Sequence, residues 1–503
     1  MLGVFLSRAA RLFGMRPALR APEGDVPWAM LVGRVSALAQ DWQQRGLRPG
    51  DRIAVLARNG PEFLIAYYAA AWGGFVIVPL NSRSHLDEME FWLVDSGARL
   101  LVHDTFHGEA ADGLCARIDG LDGFDVDALE SGHSGTGDFT PRAADDVAAI
   151  YYTGGTTGRS KGVALTHGNI HANALQSFAL FGYRADTVFL HAAPMFHLAD
   201  GASNFMLALA GACHGFLSDF DLDGLVNTIA RDRITALVLI PTMVQRLVDH
   251  PQLDPRRLST LDTIQYGGAP MPAGTLARAR ELFPGCGFVQ CYGMTELSPV
   301  ATILSRDDHR DARERPERLR SVGRPVPGVE VRIVRPAGDE AGIGEKGEIA
   351  VRGATVMAGY WGQEELTRAA VRGGWMHTGD LGSLDADGYL CLHDRIKDMI
   401  ISGGENIYSA EVENALSTHP DIAQCAVIGV PSAQWGETVH AVVVPRDGTR
   451  PEAGEIIAFC RARLTAYKCP KTVEFRSALP LTGAGKIQKA ALRAGHPGAP
   501  AGG

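Results

Sequence analysis

Short apolar runs alternate with helix-like stretches between Arg52 and about Val300, and this alternation constrains the possible folds more than any other feature of the sequence. The predicted strands are Ile53–Ala57, Phe75–Pro79, Leu100–Val102, Val147–Tyr152, Val188–Ala192, Ala236–Ile240, Thr263–Tyr266 and Gly287–Cys291. Helical periodicity fills the segments between several of them, as in Glu62–Trp72 and Leu86–Ser96. This pattern predicts βαβ units and mostly parallel sheets that are covered on both faces. Ligand sites of such sheets lie at the carboxyl ends of the strands.

The pattern changes after Arg320, which predicts further structural units. Val329–Val334 and Glu348–Arg352 are short strands separated by Gly, Pro and charged residues, as in a small β subdomain. A second alternation begins near Asp398, with predicted elements at Glu411–Ser417, Cys425–Val430, Val439–Val444 and Ile456–Leu464. A chain of 503 residues is also too long for one hydrophobic core.

We therefore expect an α/β protein with two unequal domains. The large N-terminal domain, 1–396, would contain two α/β subdomains with mostly parallel sheets and the small β subdomain. A small α+β domain, 397–493, would act as a mobile lid, and its size suits an independent unit. The tail, 494–503, has nothing to bury and is expected to be disordered.

Charge and cysteine content exclude several classes of protein. There are 48 Lys and Arg against 57 Asp and Glu, a net charge of −9, so no basic excess exists for a nucleic-acid partner. The eight cysteines form no Cys-x-x-Cys pair and no His/Cys cluster with zinc spacing, which is typical of a reducing compartment. No uncharged apolar run is long enough to span a membrane. We expect a cytoplasmic protein.

Two interpretations of the first 22 residues compete. This segment has four arginines and no acidic residue, which is typical of an organelle transit peptide. Apolar residues nevertheless recur at helical spacing, at Leu2, Phe5, Leu6, Ala9 and Leu12. We favour an ordinary amphipathic first helix, and the targeting alternative stays open.

The segment from Tyr151 to Gly162 (YYTGGTTGRSKG) has the composition of a phosphate-binding loop. A predicted strand leads into it, and sequence compatible with a helix follows from about Thr166. Its glycines allow the backbone to curl, its threonines and N–H groups can donate hydrogen bonds, and Lys161 adds positive charge. It is not a Walker A loop, because Ser160 and Gly162 flank the lysine where that motif needs Gly and Ser or Thr.

Four more blocks follow this loop in order. They are Gln290–Pro299 (QCYGMTELSP), Gly374–Gly382 (GWMHTGDLG), Asp394–Ile407 (DRIKDMIISGGENI) and Pro480–Lys489 (PLTGAGKIQK). The five blocks together resemble the ANL superfamily of adenylate-forming enzymes, which contains acyl-CoA synthetases, adenylation domains and beetle luciferases. The resemblance runs from about residue 10 to 493. It implies that a carboxylate attacks the α-phosphate of MgATP to give an acyl-adenylate and pyrophosphate, after which a thiol displaces AMP.

The resemblance implies roles for individual residues in binding ATP. The β- and γ-phosphates and pyrophosphate would be held by Thr153, Gly154, Gly155, Thr156, Thr157, Gly158 and Lys161. Adenine would be held by Tyr292, with Gly293 and Met294 beside it, and by the turn Gly267, Gly268 and Ala269. Gly154 stands where Ser is usual and Ser160 where Pro is usual, so we expect a looser loop that keeps its backbone cradle.

The same blocks imply contacts to the other parts of ATP. Thr295 would contact the α-phosphate, and Glu296 would hold Mg²⁺, which prefers oxygen ligands. Asp380 would accept hydrogen bonds from both ribose hydroxyls, since a carboxylate is an acceptor only. Arg395 would add a second ribose contact at the domain junction.

Lys486 is the strongest candidate for a catalytic residue. It ends a Pro-x-x-x-x-Gly-Lys pattern that begins at Pro480, and by resemblance its ammonium bridges the substrate carboxylate and the α-phosphate. Acetylation of this lysine would remove its charge and switch the enzyme off, an idea that rests on analogy. Lys397 occupies the family's hinge position. Rotation at the hinge would give a second, thioester-forming pose, in which the pantetheine arm of CoA reaches the site. The residues that turn toward the site in that pose would be Ser402, Gly403, Gly404 and Glu405.

The carboxylic acid is the least defined of the substrates. His197 lies in a segment (APMFHLAD) that resembles the family's gate beside the acyl pocket, and a core histidine is the alternative interpretation. The region that follows is small, apolar and free of cations, at Ala202, Ser203, Met206, Ala208, Ala210 and Gly211. Because a second carboxylate would need a buried partner, we expect a monocarboxylic acid with an uncharged tail. A fatty, short branched or thioether, or aryl tail is equally compatible.

The leading hypothesis is therefore an acid–CoA ligase that uses ATP, Mg²⁺ and coenzyme A. An adenylating enzyme that loads a carrier protein is the alternative. A luciferase-type oxygenase is less favoured, because the sequence ends Ala-Gly-Gly rather than in a peroxisomal Ser-Lys-Leu. An inactive adenylate-binding regulator would be expected to lack Lys486 or Glu296, and both are present. A homodimer stays open.

Overall fold

The computed structural model describes residues 1–21, 24–128, 135, 137–154, 160–482 and 485–496. The strands are β1 (Pro17–Leu19), β2 (Val26–Pro27), β3 (Arg52–Leu56), β4 (Val76–Pro79), β5 (Ala98–His103), β6 (Asp122–Asp125), β7 (Val147–Thr153), β8 (Lys161–Thr166), β9 (Val188–His191), β10 (Cys213–Phe216), β11 (Ala236–Leu239), β12 (Thr263–Gly267), β13 (Gly287–Gly293), β14 (Val300–Leu304), β15 (Arg324–Pro325), β16 (Val329–Val334), β17 (Gly347–Gly353), β18 (Gly359–Tyr360), β19 (Val371–Arg372), β20 (Trp375–Leu384), β21 (Leu390–Arg395), β22 (Ile400–Ser402), β23 (Glu405–Ile407), β24 (Ile422–Ser432), β25 (Gly436–Pro445) and β26 (Thr472–Phe475). The helices are α1 (Gly3–Phe13), α2 (Trp28–Gln44), α3 (Pro61–Gly73), α4 (Leu86–Ser96), α5 (Gly108–Cys115), α6 (His167–Phe181), α7 (Leu198–Gly201), α8 (Ser203–Ala210), α9 (Leu222–Asp232), α10 (Pro241–Val248), α11 (Ala273–Leu282), α12 (Arg306–Arg310), α13 (Glu364–Ala370), α14 (Ser409–Leu416), α15 (Ala453–Arg461) and α16 (Lys489–Ala494).

Two large sheets form the first part of the fold. One has the order β18-β8-β7-β4-β3-β5-β6, and the other has the order β15-β14-β13-β12-β11-β9-β10-β1-β2. Neighbouring strands run parallel from β7 to β6 in the first sheet and from β13 to β1 in the second. Antiparallel strands occur only at the ends of these two sheets. The prediction of an α/β fold with mostly parallel sheets is confirmed.

Two smaller sheets follow. The third sheet, β16-β17-β20-β19 with β21 paired to β20, is antiparallel and corresponds to the predicted β subdomain. The fourth, β23-β22-β25-β24, is antiparallel apart from β26, which pairs in parallel with β25. Helices α14, α15 and α16 pack near this last sheet, so the C-terminal part is α+β as expected.

One large apolar core joins the two large sheets, while the C-terminal part has its own cores. Phe63, Tyr68 and Phe75 beside the first sheet belong to the same buried cluster as Phe189 and Val289 of the second. A separate cluster in the last hundred residues is built from Ile400, Ile407, Val412, Leu416, Ile422, Val427, Val439, Ala441, Val443, Ile456, Cys460 and Cys469. The C-terminal part therefore keeps its own core independent of the two large sheets.

The first residues form the amphipathic helix α1, as the apolar spacing predicted. Leu2, Phe5, Leu6 and Ala9 are buried. The prediction was wrong for Leu12, whose side chain is 54% exposed because it lies in the last turn of α1 on the face away from the core. At the other end, Ala494 closes α16, while residues 497–503 lie outside the described part. Among the described residues, every helix is too short or too polar to cross a membrane.

Candidate active site

The ends of β12 and β13 bring two predicted nucleotide-binding segments side by side. These strands are parallel neighbours, with Gly267 opposite Cys291. A methyl group on Gly267 would lie 2.4 Å from the carbonyl oxygen of Cys291, so only glycine allows this approach. The turn Gly267, Gly268 and Ala269 therefore lies beside the segment from Tyr292 to Thr295, as expected for parallel strands that end at one edge.

Asp380 connects the segment after β13 to the third sheet. Tyr292 Oη donates a hydrogen bond to Asp380 Oδ2 (2.9 Å), and Arg395 Nε lies 3.2 Å from Asp380 Oδ1. Asp380 and Arg395 face each other on β20 and β21. Burial raises the pKa of Asp380, and Arg395 and the Tyr292 hydroxyl oppose that rise. Three residues predicted to bind adenine and ribose thus form one hydrogen-bonded group.

Glu296 is buried and held by a tyrosine that the sequence did not indicate. It lies in a 3₁₀ turn, Thr295–Leu297, that follows β13. Tyr360 Oη donates to Glu296 Oε1 (2.9 Å), and Lys161 Nζ lies 5.1 Å from the centre of the Tyr360 ring. Burial raises the pKa of Glu296, while the hydrogen bond from Tyr360 and the charges of Arg395 and Lys161 oppose that rise. Tyr360 brings the candidate phosphate and metal residues together.

The phosphate loop joins two antiparallel strands, which differs from the predicted order of strand, loop and helix. Thr153 ends β7, Lys161 begins β8, and the two residues pair across the hairpin. Helix α6 begins only at His167, after β8, and Thr166 caps it. Thr153 and Lys161, described residues on either side of the loop, therefore lie on strands and not at a helix N-terminus. Gly154 is described, whereas Gly155, Thr156, Thr157 and Gly158 lie outside the described residues.

Lys486 reaches the same cleft from the C-terminal part. It lies on a hairpin in which Leu481 pairs with Ile487. A methyl group on Gly268 would lie 3.4 Å from Lys486 Cε and 3.8 Å from Nζ, so the ammonium lies over the turn after β12. The side chain keeps access to solvent through the cleft. The surrounding protein and the charge of Arg395 lower the pKa of Lys486, while Asp380 and Glu296 act in the opposite direction.

His197 faces this cleft at the start of α7. Its Nε2 atom is buried and has no hydrogen-bond partner in the described part of the chain. Burial, with the charges of Lys486 and Arg83, lowers the pKa of His197 to about 3. The imidazole is therefore neutral near pH 7, and its unpartnered Nε2 atom differs from that of a core histidine whose hydrogen bonds are all formed. It can exchange one hydrogen bond with a bound molecule.

A polar cavity adjoins the His197 segment. Its volume is about 190 Å³, and it is lined by Ala57, Arg58, Asn59, Ser82, Arg83, Phe106, His107, Ala192, Pro194, Phe196, Ser218, Asp219 and Phe220. Two arginines on its wall suit an anionic ligand. No local sequence pattern indicated this cavity, because its residues come from five separate segments of the chain.

The predicted acyl wall is buried but less apolar than expected. Helix α8 carries Met206 and Ala208 as fully buried residues. At its first turn, however, Ser203 Oγ lies 3.3 Å from Tyr183 Oη, which lies 2.7 Å from Gln265 Nε2. The side chains of Tyr183, Ser203 and Gln265 are all buried, so they form a polar cluster at the start of α8. Gln265 comes two residues before Gly267 on β12.

The pantetheine candidates lie away from these contacts, whereas the hinge candidate Lys397 is close enough to Arg395 and Asp380 to interact with their charges. Lys397 is in a 3₁₀ turn, Ile396–Asp398, directly after β21, where burial lowers its pKa. Ser402, Gly403, Gly404 and Glu405 form the turn between β22 and β23. Gly403 donates its N–H to the Trp435 carbonyl (2.9 Å), a contact within the same sheet. In this pose the cleft receives Lys486, and the Ser402–Glu405 turn faces outward.

Two family models match the chain. The model of the AMP-binding enzyme matches residues 6–361, and that of the AMP-binding enzyme C-terminal domain matches residues 411–486. The chain belongs to the AMP-binding enzyme family. The family is that of the ANL adenylate-forming enzymes, as the five sequence blocks predicted.

Several similar curated proteins are CoA ligases, and another, a fatty acid–[acyl-carrier-protein] ligase of Streptomyces coeruleorubidus, is 32% identical over 492 residues, 95% of this chain and 93% of the relative. Feruloyl-CoA synthase of Amycolatopsis sp is 42% identical over 494 residues, which is 98% of each chain. Indoleacetate–CoA ligase of Aromatoleum aromaticum is 35% identical over 505 residues, 98% of this chain and 97% of the relative. This AMP-binding enzyme is accordingly an AMP-forming acyl-CoA synthetase that acts through an acyl-adenylate, and ATP and CoA are its co-substrates.

Solved structures of the family have the same fold. ATP-bound MatB from Rhodopseudomonas palustris superposes with a TM-score of 0.89 at 32% identity, covering 98% of this chain and 99% of the other. MenE from Bacillus subtilis with its acyl-adenylate OSB-AMP has a TM-score of 0.86 at 32% identity, covering 98% and 97%. The TM-score with apo MatB is 0.79. This structure thus superposes more closely on ATP-bound MatB than on apo MatB.

Proposed function

We propose that this enzyme joins an aromatic monocarboxylic acid bearing a ring hydroxyl, of the hydroxycinnamate kind, to coenzyme A. The observation that carries this proposal is the buried cluster of Tyr183, Ser203 and Gln265 beside α8. These groups already exchange hydrogen bonds with one another, and a phenolic hydroxyl beside them could join the same network, whereas a saturated fatty tail could not. The similarity to feruloyl-CoA synthase and indoleacetate–CoA ligase supports an aryl acid.

In the first step a carboxylate oxygen of the acid bonds to the α-phosphorus of ATP. The bond from that phosphorus to the bridging oxygen breaks, and pyrophosphate leaves with the electron pair. Two anions must approach each other, so Lys486 over Gly268 would stabilise the charge that develops between them. Tyr292, Asp380 and Arg395 would hold adenosine, and Thr153, Lys161 and the loop between them would hold the phosphates.

Glu296 fits the role of magnesium ligand. It offers a buried carboxylate, although no three His, Cys, Asp or Glu side chains in the described ranges form a metal-binding group. Mg²⁺ in nucleotide enzymes commonly has one or two carboxylate ligands, and substrate phosphates and water supply the rest. With Thr295 beside the α-phosphate, the ion would neutralise charge on the phosphate oxygens.

In the second step the thiol sulfur of CoA attacks the carbonyl carbon of the acyl-adenylate. AMP leaves with the carboxyl oxygen, and the thiol proton is released. We assign the hinge to Lys397, between a domain of residues 1–396 and a mobile domain of residues 397–493. Rotation there would withdraw Lys486 and bring in the turn from Ser402 to Glu405. The cavity lined by Arg58 and Arg83 would take phosphate groups of CoA. We place the enzyme in the cytoplasm.

A panel of acids tests the proposed substrate class. Release of AMP is measured with ATP, Mg²⁺ and CoA, using ferulate, 4-hydroxycinnamate, cinnamate, indoleacetate, and medium- and long-chain fatty acids. We expect the highest kcat/KM with the hydroxylated cinnamates. In Tyr183→Phe, which loses one hydroxyl, kcat/KM should fall more for 4-hydroxycinnamate than for cinnamate. A higher kcat/KM with fatty acids would contradict the proposal, and adenylate formation without CoA-dependent turnover would favour a carrier protein as acceptor.

The role of Lys486 is tested by separating the two steps. Because one transition-state donor is lost, Lys486→Ala should reduce acid-dependent exchange of labelled pyrophosphate into ATP by about 10²–10³-fold. Thioester formation from supplied acyl-adenylate should be close to that of the wild type. Lys471→Ala removes an exposed lysine from the same domain and should leave the exchange unchanged. Normal exchange in Lys486→Ala would exclude the assigned role.

A further inference from the structure

Two polar contacts join the C-terminal domain to helix α10 of the large domain, at its two ends. At the start of α10, Thr242 Oγ1 donates to the carbonyl oxygen of Gly485, the residue before Lys486 (3.2 Å). Directly after α10, Asp249 Oδ1 accepts a hydrogen bond from Arg446 Nη1 (2.8 Å). Asp249 and Arg446 are 197 residues apart in sequence. The ion pair and the hairpin that carries Lys486 therefore contact opposite ends of one helix of the large domain.

Both charged groups are held in place before they meet. Within the large domain, Gln245 of α10 and Arg278 of α11 donate to the carboxylate of Asp249. Burial would raise the pKa of Asp249, but these hydrogen bonds and the charge of Arg446 outweigh it and lower the pKa. Arg446 follows β25, and its Nε donates to the Pro420 carbonyl (2.8 Å), which directs Nη1 outward. Because each side chain is already ordered, little conformational entropy is lost when the domains dock.

We propose that Asp249 and Arg446 are positioning residues that hold the mobile domain in the pose that places Lys486 over Gly268. The inference rests on the function proposed above for Lys486 and for the hinge at Lys397. Asp249 lies in the large domain, before the hinge, and Arg446 lies in the mobile domain, after it. Rotation at Lys397 therefore carries Arg446 away from Asp249. The ion pair therefore stabilises the adenylating pose relative to the thioester-forming pose.

The size of the effect follows from the exposure of the pair. The side chains of Arg446 and Asp249 are 29% and 25% exposed, so solvent screens their attraction. Pairs of this kind change an equilibrium by about two- to fivefold. Loss of the pair should therefore lower the population of the adenylating pose by that factor and leave the chemistry of each step intact.

Arg446→Ala tests the proposal in the full-length enzyme. We expect pyrophosphate exchange to fall about two- to fivefold while thioester formation from supplied acyl-adenylate is not reduced. Arg450→Ala removes an exposed arginine from the same loop and should change neither half-reaction. Asp249→Asn should reduce pyrophosphate exchange by the same factor or more, since it also weakens the bonds from Gln245 and Arg278. The double variant should show no further loss beyond that of Asp249→Asn, because the interaction with Arg446 is already lost in the single variant. Equal falls in both half-reactions, additive losses, or unchanged exchange would each overturn the proposal.

A second measurement does not depend on the substrate. Hydrogen exchange of the hairpin strands around Leu481 and Ile487 should be faster in Arg446→Ala than in the wild type, and equal in Arg450→Ala. Equal rates of hydrogen exchange in all three proteins would contradict the role of the ion pair, whichever acid the enzyme activates. If the wild type catalyses no acid-dependent exchange of pyrophosphate into ATP, the proposed function is wrong. Hydrogen exchange of the hairpin still tests whether the ion pair holds the two domains together.

Discussion

Two carboxylates in the cleft, Asp380 and Glu296, are each held by the hydroxyl of a tyrosine. Burying a carboxylate is unfavourable unless it receives hydrogen bonds. Tyr292 and Tyr360 supply these bonds (2.9 Å each) as neutral donors, and Arg395 is a charged partner for Asp380. These bonds allow the buried carboxylates to stay charged, as binding of a ribose diol or a magnesium ion would require.

Removal of the Tyr360 hydroxyl should weaken ATP activation. A hydrogen bond to a charged group contributes about 1.5–3 kcal/mol, so Tyr360→Phe should lower kcat/KM for ATP at least about tenfold. Loss of this bond also raises the pKa of Glu296 further, so activity should be lost at a higher pH on the acidic side. Initial rates between pH 5 and 8 at fixed Mg²⁺ measure both effects.

The matched control is Tyr389→Phe, which removes a tyrosine–carboxylate hydrogen bond outside the cleft, from Tyr389 Oη to Asp308 Oδ1 (2.6 Å). It should leave the pH profile of the wild type in place. An identical profile for both variants would mean that Tyr360 serves stability alone.

Substitution of His197 should change the rate but not its pH dependence. The pKa of about 3 keeps this imidazole neutral throughout the working range. His197→Gln retains a neutral hydrogen-bonding side chain, and we expect kcat/KM for the acid to fall by about two- to tenfold at every pH from 5.5 to 8. If the variant instead loses an ionisation near pH 6.5, His197 is charged during turnover and the neutral assignment is wrong.

At the scale of the elements, the nucleotide site depends on how closely β12 and β13 approach at their ends. Gly267→Ala would place a methyl group 2.4 Å from the Cys291 carbonyl oxygen, and two paired strands cannot move apart cheaply. We expect a stability loss of about 1–3 kcal/mol and weaker ATP binding. Gly285→Ala is the control, since nothing lies within 4 Å of its added methyl group. Thermal unfolding and ATP titration of both variants measure the difference.

Elements with a strong local pattern were predictable from the sequence, and pairings between distant segments were not. Helix α4 occupies the predicted range Leu86–Ser96, because its apolar spacing and its closing Gly97 are local signals. The hairpin that carries Lys161 looked like a loop before a helix, because β8 is short and apolar. Tyr360 and Glu296 lie 64 residues apart, and no local pattern connects them.

At the scale of the whole molecule, the acidic chain concentrates positive charge where polyanions would bind. Against a net charge of −9, Lys161, Arg395 and Lys486 all act on the buried carboxylate of Glu296 or Asp380. Lys486 comes from the segment between β26 and α16, and the other two come from the large domain. The complete site therefore exists only while the C-terminal domain is docked.

Ionic strength should affect docking through Asp249 and Arg446. The Debye length, over which salt screens the attraction between charges, shortens from about 10 Å at 0.1 M salt to about 3 Å at 1 M. The ratio of pyrophosphate exchange in the wild type to that in Arg446→Ala should accordingly fall toward one as NaCl rises from 50 to 500 mM. Thr242→Val removes the uncharged contact to Gly485 instead, so its ratio to the wild type should not depend on salt. A constant ratio for Arg446→Ala would contradict an electrostatic contribution to docking.

The sparse polar contact along α10 has a consequence for turnover as a whole. An interface that must form and separate once in every catalytic cycle has an optimum strength rather than a maximum. Tighter docking speeds the first half of the cycle and delays the second, and looser docking does the reverse. Overall turnover is then fastest when the two half-reactions limit its rate to a similar extent. A single partly exposed ion pair is well suited to such tuning, because one substitution moves the balance by a small step in either direction.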